Sequence, residues 1–187
     1  MLYLILGVLL WSLTHLLPSL APNWRAAQLA SSVGHYKGLF SLSILISLGL
    51  IVYGWRHTPV EYLYVAGMGM RHATMSLMLV AFILFGASMY PTRIKRLIRH
   101  PMLMSVLVWA VAHLLSNGES RSLVLFGGLG AWALVQMLLI NRRDGDWVKP
   151  EVGSWFREIR GLIISLVIMA VAVWLHPYFA GVALLPQ

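Results

Sequence analysis

Apolar residues come in long runs, not in alternation with polar ones. Six runs stand out, at 2–21, 38–55, 73–90, 101–116, 122–140 and 161–184. A helix needs about 20 such residues to cross a bilayer, within a range of about 17–25. The strict polar–apolar alternation of a barrel strand is absent. The pattern therefore predicts an all-α, polytopic membrane helix bundle of about six transmembrane helices. Helices close their backbone hydrogen bonds within the segment, as hydrocarbon demands. The fourth run is short, and Arg99 at its flank is placed to snorkel to the surface. Residues 57–72, with Tyr62, Tyr64 and several glycines, read as interfacial. The one hydrophilic stretch, Asp144 to Arg160, is too short for a domain, so residues 1–187 read as a single integral-membrane domain. Residues 1–17 resemble the apolar part of a signal peptide. They have no basic start and no clear small-residue cleavage site before Asn23, so they read as a retained first span.

Composition strengthens this picture. The chain is 59% hydrophobic and 11% charged, against roughly 25% charged in soluble domains. A net charge of +8 would suggest nucleic acid in a soluble protein. Here the cations border the apolar runs, which points to membrane lipid as the partner and away from nucleic acid. They also set a direction. Eleven (Arg25, Lys37, Arg93, Lys95, Arg96, Arg99, Arg142, Arg143, Lys149, Arg157 and Arg160) follow runs one, three and five, while only Arg56, Arg71 and Arg121 lie opposite. The positive-inside rule then predicts a multi-pass protein of the cell inner membrane with both termini periplasmic. The absence of cysteine removes disulfide and thiolate chemistry and leaves the redox compartment unread.

The candidate chemistry lies in histidine, a common metal ligand that is usually functional inside a span. Of seven, His15 and His113 lie well within apolar runs. Each sits in the same string, Trp11-Ser-Leu-Thr-His15-Leu-Leu and Trp109-Ala-Val-Ala-His113-Leu-Leu. The i, i+4 spacing puts each Trp and His on one helix face. Spans one and four enter from opposite sides, so the match suggests an inverted 3+3 repeat. At about 1.5 Å per residue each histidine reaches about 20 Å into a core about 30 Å thick. A flat metal complex ligated from both faces, such as an iron porphyrin, accommodates that offset. The plainer alternative is that the histidines bridge helices in a structural or transport protein. His57 and His176 sit at span ends and read as interfacial, and His35 beside Tyr36 and Lys37 as a headgroup contact. His100 and His113 lie about 140° apart around one helix and do not readily share an ion. No HExxH pattern and no carboxylate accompanies the span histidines, which argues against hydrolytic zinc.

Longer strings resemble a known family. Arg99-His100-Pro101 followed by Trp109-Ala-Val-Ala-His113 and Ser116-Asn117-Gly118-Glu119 resembles the core motif of the NnrU family. The likeness extends to His15, Tyr36-Lys37-Gly38-Leu39, Arg71-His72, Leu125-Phe126-Gly127, Asn141-Arg142-Arg143 and Leu175-His176-Pro177, nearly the whole chain. That family is named for a link to nitric-oxide and denitrification genes. It is similar to the membrane-bound 15-cis-zeta-carotene isomerases, which hold haem b between two histidines. The resemblance implies haem b here, with His15 and His113 as its ligands and Trp11 and Trp109 packing beside the macrocycle. It also implies a redox or nitric-oxide-related role, or else cis–trans isomerisation of a lipidic polyene. The isomerases carry a Cys three residues before the second ligand, where this chain has Ala110, so a thiolate exchange at iron is not open to it. Prolyl kinks near His15, at Pro18 and Pro22, make it the ligand expected to move. Asn117 or Arg71 is the polar partner expected for the propionates. Isoprenoid-cysteine and phospholipid methyltransferases share an Arg-His-Pro turn, but Met102 and Leu103 follow it here. Of their later acidic pieces only Glu151 and Glu158 are present, so no nucleotide site is expected.

Overall fold

The structure, a computed structural model, describes residues 1–181 and 184. Its helices are α1 (Leu2–Leu20), α2 (Pro22–Ser31), α3 (Val33–His57), α4 (Met68–Ala87), α5 (Pro101–Ser116), the single turn α6 (Ser120–Ser122), α7 (Gly128–Asp144) and α8 (Trp155–Ala180). A π-helical turn, Leu123–Gly127, joins α6 to α7, making one continuous apolar helix from Ser120 to Asp144. Among the described residues the one β-type pairing is a bridge between Tyr62 and Glu119. The last predicted run ends on 182–184, and residues 182 and 183 lie outside those described.

Five helices are long and apolar enough to cross a membrane: α1, α3, α4, the continuous α6–α7 helix and α8. The sixth expected span, α5, has the predicted bounds and 16 residues. At about 1.5 Å per residue it is about 24 Å long, short of a hydrocarbon core of about 30 Å. Residues 22–37 were expected as a loop and instead form α2 and the first turn of α3. Pro22 occupies the first turn of α2, where its missing N–H is not needed. Ser32 ends α2 and caps α3, its hydroxyl accepting from the His35 N–H at 3.3 Å.

The spans pack in the order α3, α1, α7, α5, α4, α8. The α1–α3 and α4–α5 pairs are the most extensive. Small residues let backbones approach in the bilayer, where tails and side chains are equally apolar. Gly7, Ser47 and Gly54 serve α1 against α3, and Thr74 on α4 donates to the Ala112 carbonyl on α5 at 2.9 Å. The chain order of these contacts follows an inverted repeat in part. The α1–α3 and α5–α7 pairs both pack, whereas the α4–α5 interface has no α1–α8 counterpart of like size.

Helix α7 stands between α1 and α5. A side chain at Gly128 would press on Val8 of α1, and one at Gly130 on Ala110 of α5. Two residues apart means about 200° apart on a helix, so α1 and α5 flank α7 from different sides. Between them α7 buries Trp132, Ala133 and Gln136 and turns Ala131, Leu134, Val135 and Leu138 outward to lipid.

Candidate functional site

His15 and His113 are held in the same way. His15 Nδ1–H donates to the Trp11 carbonyl at 2.8 Å, and His113 Nδ1–H donates to the Trp109 carbonyl at 2.9 Å. A carbonyl only accepts, so in the neutral ring the proton sits on Nδ1 and Nε2 keeps its lone pair. Neither Nε2 makes a hydrogen bond among the described residues. His57 has the same bond, to the Tyr53 carbonyl at 2.8 Å, but on an exposed surface. The bond is thus a property of aromatic-x-x-x-His on a helix, and His57 also stacks on Tyr53 at 4.1 Å. What separates His15 and His113 is that they are half-buried and meet rings from other helices.

Around His15 stand Trp11 at 4.4 Å between ring centroids, Trp132 at 5.1 Å and Phe40 at 5.4 Å. Around His113 stand Phe126, stacked at 4.4 Å, and Trp109 at 5.0 Å. Phe126 also meets Trp109 at 4.9 Å and Trp55 at 6.2 Å. It is carried by the π-helical turn, a local widening that often marks functional sites. The two nests share the α6–α7 helix, and their ring partners Phe126 and Trp132 are about 9 Å apart along it. The structure gives each imidazole its own aromatic nest and does not bring the two rings into contact with each other. Ala110 on α5 and Ala133 on α7 are fully buried, at 1% and 0% exposure.

Polar atoms are stranded in this interior. The indole N–H groups of Trp11 and Trp132 and the Gln136 carbonyl oxygen are buried without a partner among the described residues, as are the Ser120 and Ser122 hydroxyls. The Gln136 amide nitrogen donates to Ser19 Oγ at 3.4 Å, and Arg143 reaches the same oxygen at 3.1 Å. Beyond Phe40 opens a cavity of about 310 Å³ lined by Pro18, Arg25, Tyr36, Lys37, Phe40 and Ser41.

The remaining histidines divide. His35 and His72 are exposed. His100 donates to Asn141 Oδ1 at 2.8 Å while Arg99 donates to the Gly145 carbonyl at 2.7 Å, so the Arg-His-Pro turn clasps the end of α7. Pro101 fills the first turn of α5, as expected. His176, expected at an interface, is half-buried near the end of α8. Arg71 is exposed, and the Asn117 carbonyl accepts from Tyr64 at 3.5 Å. Among the described residues no three His, Asp or Glu side chains converge as metal ligands.

The fold and its membrane-length apolar helices define a polytopic helical membrane protein. A family model described as NnrU protein matches residues 3–184, and the chain belongs to the NnrU family of denitrification-related membrane proteins. No curated protein and no solved structure matches it.

Proposed function

We propose that this protein binds haem b in the membrane, with His15 and His113 as the axial ligands, and serves a redox or nitric-oxide-related role. The observation that carries the reading is the shared construction of the two nests. Each imidazole is fixed through Nδ1, packed on aromatic rings, and left with an unused Nε2 inside an apolar bundle. Anchoring one ring nitrogen orients the other for iron. The Nε2 lone pair lies in the ring plane, and among the described residues neither Nε2 makes a hydrogen bond. The donor set fits in kind: two imidazoles, each with an indole ring beside it.

If held by His15 and His113, a haem would supply one-electron chemistry tuned by its ligands and its burial. Trp11 and Trp109 hold the imidazoles from behind. The apolar spans exclude water from both. The orientation that accompanies this reading puts both termini on the periplasmic side of the inner membrane, from the cation asymmetry. At Ala110, where the related isomerases carry Cys, a methyl group packs on Gly130, which favours the redox reading over polyene isomerisation.

The test is the visible spectrum of protein purified from haem-replete cells. A low-spin b-type spectrum is expected. A colourless preparation overturns the proposal and leaves the histidines as helix-packing groups.

A further inference from the structure

We infer that the buried arc of α7 receives the two carboxylates of the porphyrin, with the Trp132 indole N–H and the Gln136 side-chain amide as their donors. This rests on the haem reading above and adds to it the end by which the macrocycle is held. Residues follow one another at about 100° around a helix. Gly128 faces Val8 of α1, and Gly130 faces Ala110 of α5, one turn before His113. Counted from Gly128, Trp132 lies at about 40°, Gln136 at about 80° and Gly130 at about 200°. Trp132 and Gln136 therefore look into the angle between the two histidine-bearing helices. The opposite arc holds Ala131, Leu134, Val135 and Leu138, and all four are exposed. Trp132 is in addition a wall of the His15 nest, 5.1 Å from the imidazole between ring centroids.

Trp132 and Gln136 are each 9% exposed, and each has a polar atom without a partner among the described residues. An unpaired polar group in an apolar interior costs free energy until a ligand pairs with it. An indole N–H only donates, so its partner must be an acceptor. The rim of haem b carries methyl, vinyl and carboxylate groups, and only the carboxylates accept. Gln136 gives its amide nitrogen to Ser19 Oγ at 3.4 Å and leaves its carbonyl oxygen stranded. Turned over on loading, the amide takes the Ser19 hydroxyl at its oxygen and presents its N–H groups inward. The two donors then stand one turn, about 6 Å, apart along α7. Ser19 also accepts from Arg143 at 3.1 Å, which ties this end of the site to the basic last turn of α7. Arg71, exposed on α4, and Asn117, at the end of α5, are the partners expected from the sequence, and neither is on this arc.

The experiment compares haem with haem dimethyl ester, which lacks the free carboxylates, by Soret titration of the purified chain. The natural chain should bind the free acid about tenfold more tightly than the ester. Trp132→Phe with Gln136→Leu should erase that preference. Gln136→Glu alone, which keeps the side-chain length and adds a like charge, should reverse it. Equal binding of acid and ester by the natural chain overturns this inference and leaves the haem reading standing. So does a preference that neither variant changes. If oleate stabilises the haem-free natural chain but not the double variant, with no acid–ester difference, the arc is a fatty-acid site and the inference falls. Binding of neither compound by the natural chain sinks both readings.

Discussion

The two histidine nests share a plan and differ in how they are closed. The His113 nest is stacked shut. Phe126 lies on the imidazole, Trp109 and Trp55 lie on Phe126, and Arg121 sits over Trp55 at 4.3 Å while paired with Glu119 at 2.6 Å. The His15 nest is unfinished. Two indole N–H groups and an amide oxygen on this side have no partner among the described residues, against the two stranded hydroxyls of Ser120 and Ser122 on the Phe126 side, and Phe40 stands between the nest and a groove lined by Arg25 and Lys37. Pro18 adds to this, because it offers no N–H to the Thr14 carbonyl beside His15. The same local string thus serves two purposes. One copy is a fixed post, and the other is a post at the open end of a site.

The largest expected effect breaks that comparison directly. His113→Ala should abolish the b-type spectrum. His15→Ala should leave haem bound but high-spin, since the firm ligand remains. His57→Ala, with the same Nδ1 bond on an exposed surface, should change nothing. Retention of the low-spin spectrum in both His15→Ala and His113→Ala refutes the ligand pair. Loss in His176→Ala with retention in His15→Ala would move the second ligand to α8, which carries His176.

Next in size is the ring that closes the outer nest. Phe126 is 5% exposed and touches Trp55, Trp109 and His113. Phe126→Ala should lower unfolding stability by about 3–5 kcal/mol, read as a fall in Tm of the detergent-solubilised protein. A loss below about 1 kcal/mol would mean the stack is not closed. Trp132→Phe probes the other nest more gently. It keeps an aromatic ring and deletes an N–H that has no partner in the haem-free chain, so it should be near neutral there. A larger loss in the haem-loaded chain than in the haem-free one would sharpen the contrast, by showing that the indole acquires a partner on loading.

Much of this was legible along the chain. Hydropathy placed every span, and α5 kept its bounds to the residue, because length and apolarity are local properties. The Trp-x-x-x-His strings were visible because a helix converts i, i+4 spacing into a contact. Three things were not visible. The fold-back of α2 hid behind Pro22, which reads as a helix end and here begins one. The insertion of α7 between α1 and α5 depends on Gly128 and Gly130, whose roles exist only once partners face them. The stacking of Phe126 on His113 joins residues from two helices with no shared motif. Each miss is a matter of which helix lies beside which, and periodicity within one segment carries no record of its neighbours.

The smallest effect tests whether the unfinished nest is a binding feature or merely a flaw in packing. Gln136 is 9% exposed on the buried arc of α7. Its amide nitrogen makes one long bond to Ser19 Oγ at 3.4 Å, and its carbonyl oxygen makes none. Ser19 would remain engaged by Arg143 at 3.1 Å if that amide were removed. Gln136→Leu therefore trades a weak bond and a stranded acceptor for an apolar group of similar length. In the haem-free protein the change should fall within about 1 kcal/mol of zero, on the stabilising side. Thermal unfolding of haem-free and haem-loaded protein reads it. A haem-free loss above about 2 kcal/mol would mean that the oxygen already has a bonded partner, and the His15 nest would then be as closed as its counterpart.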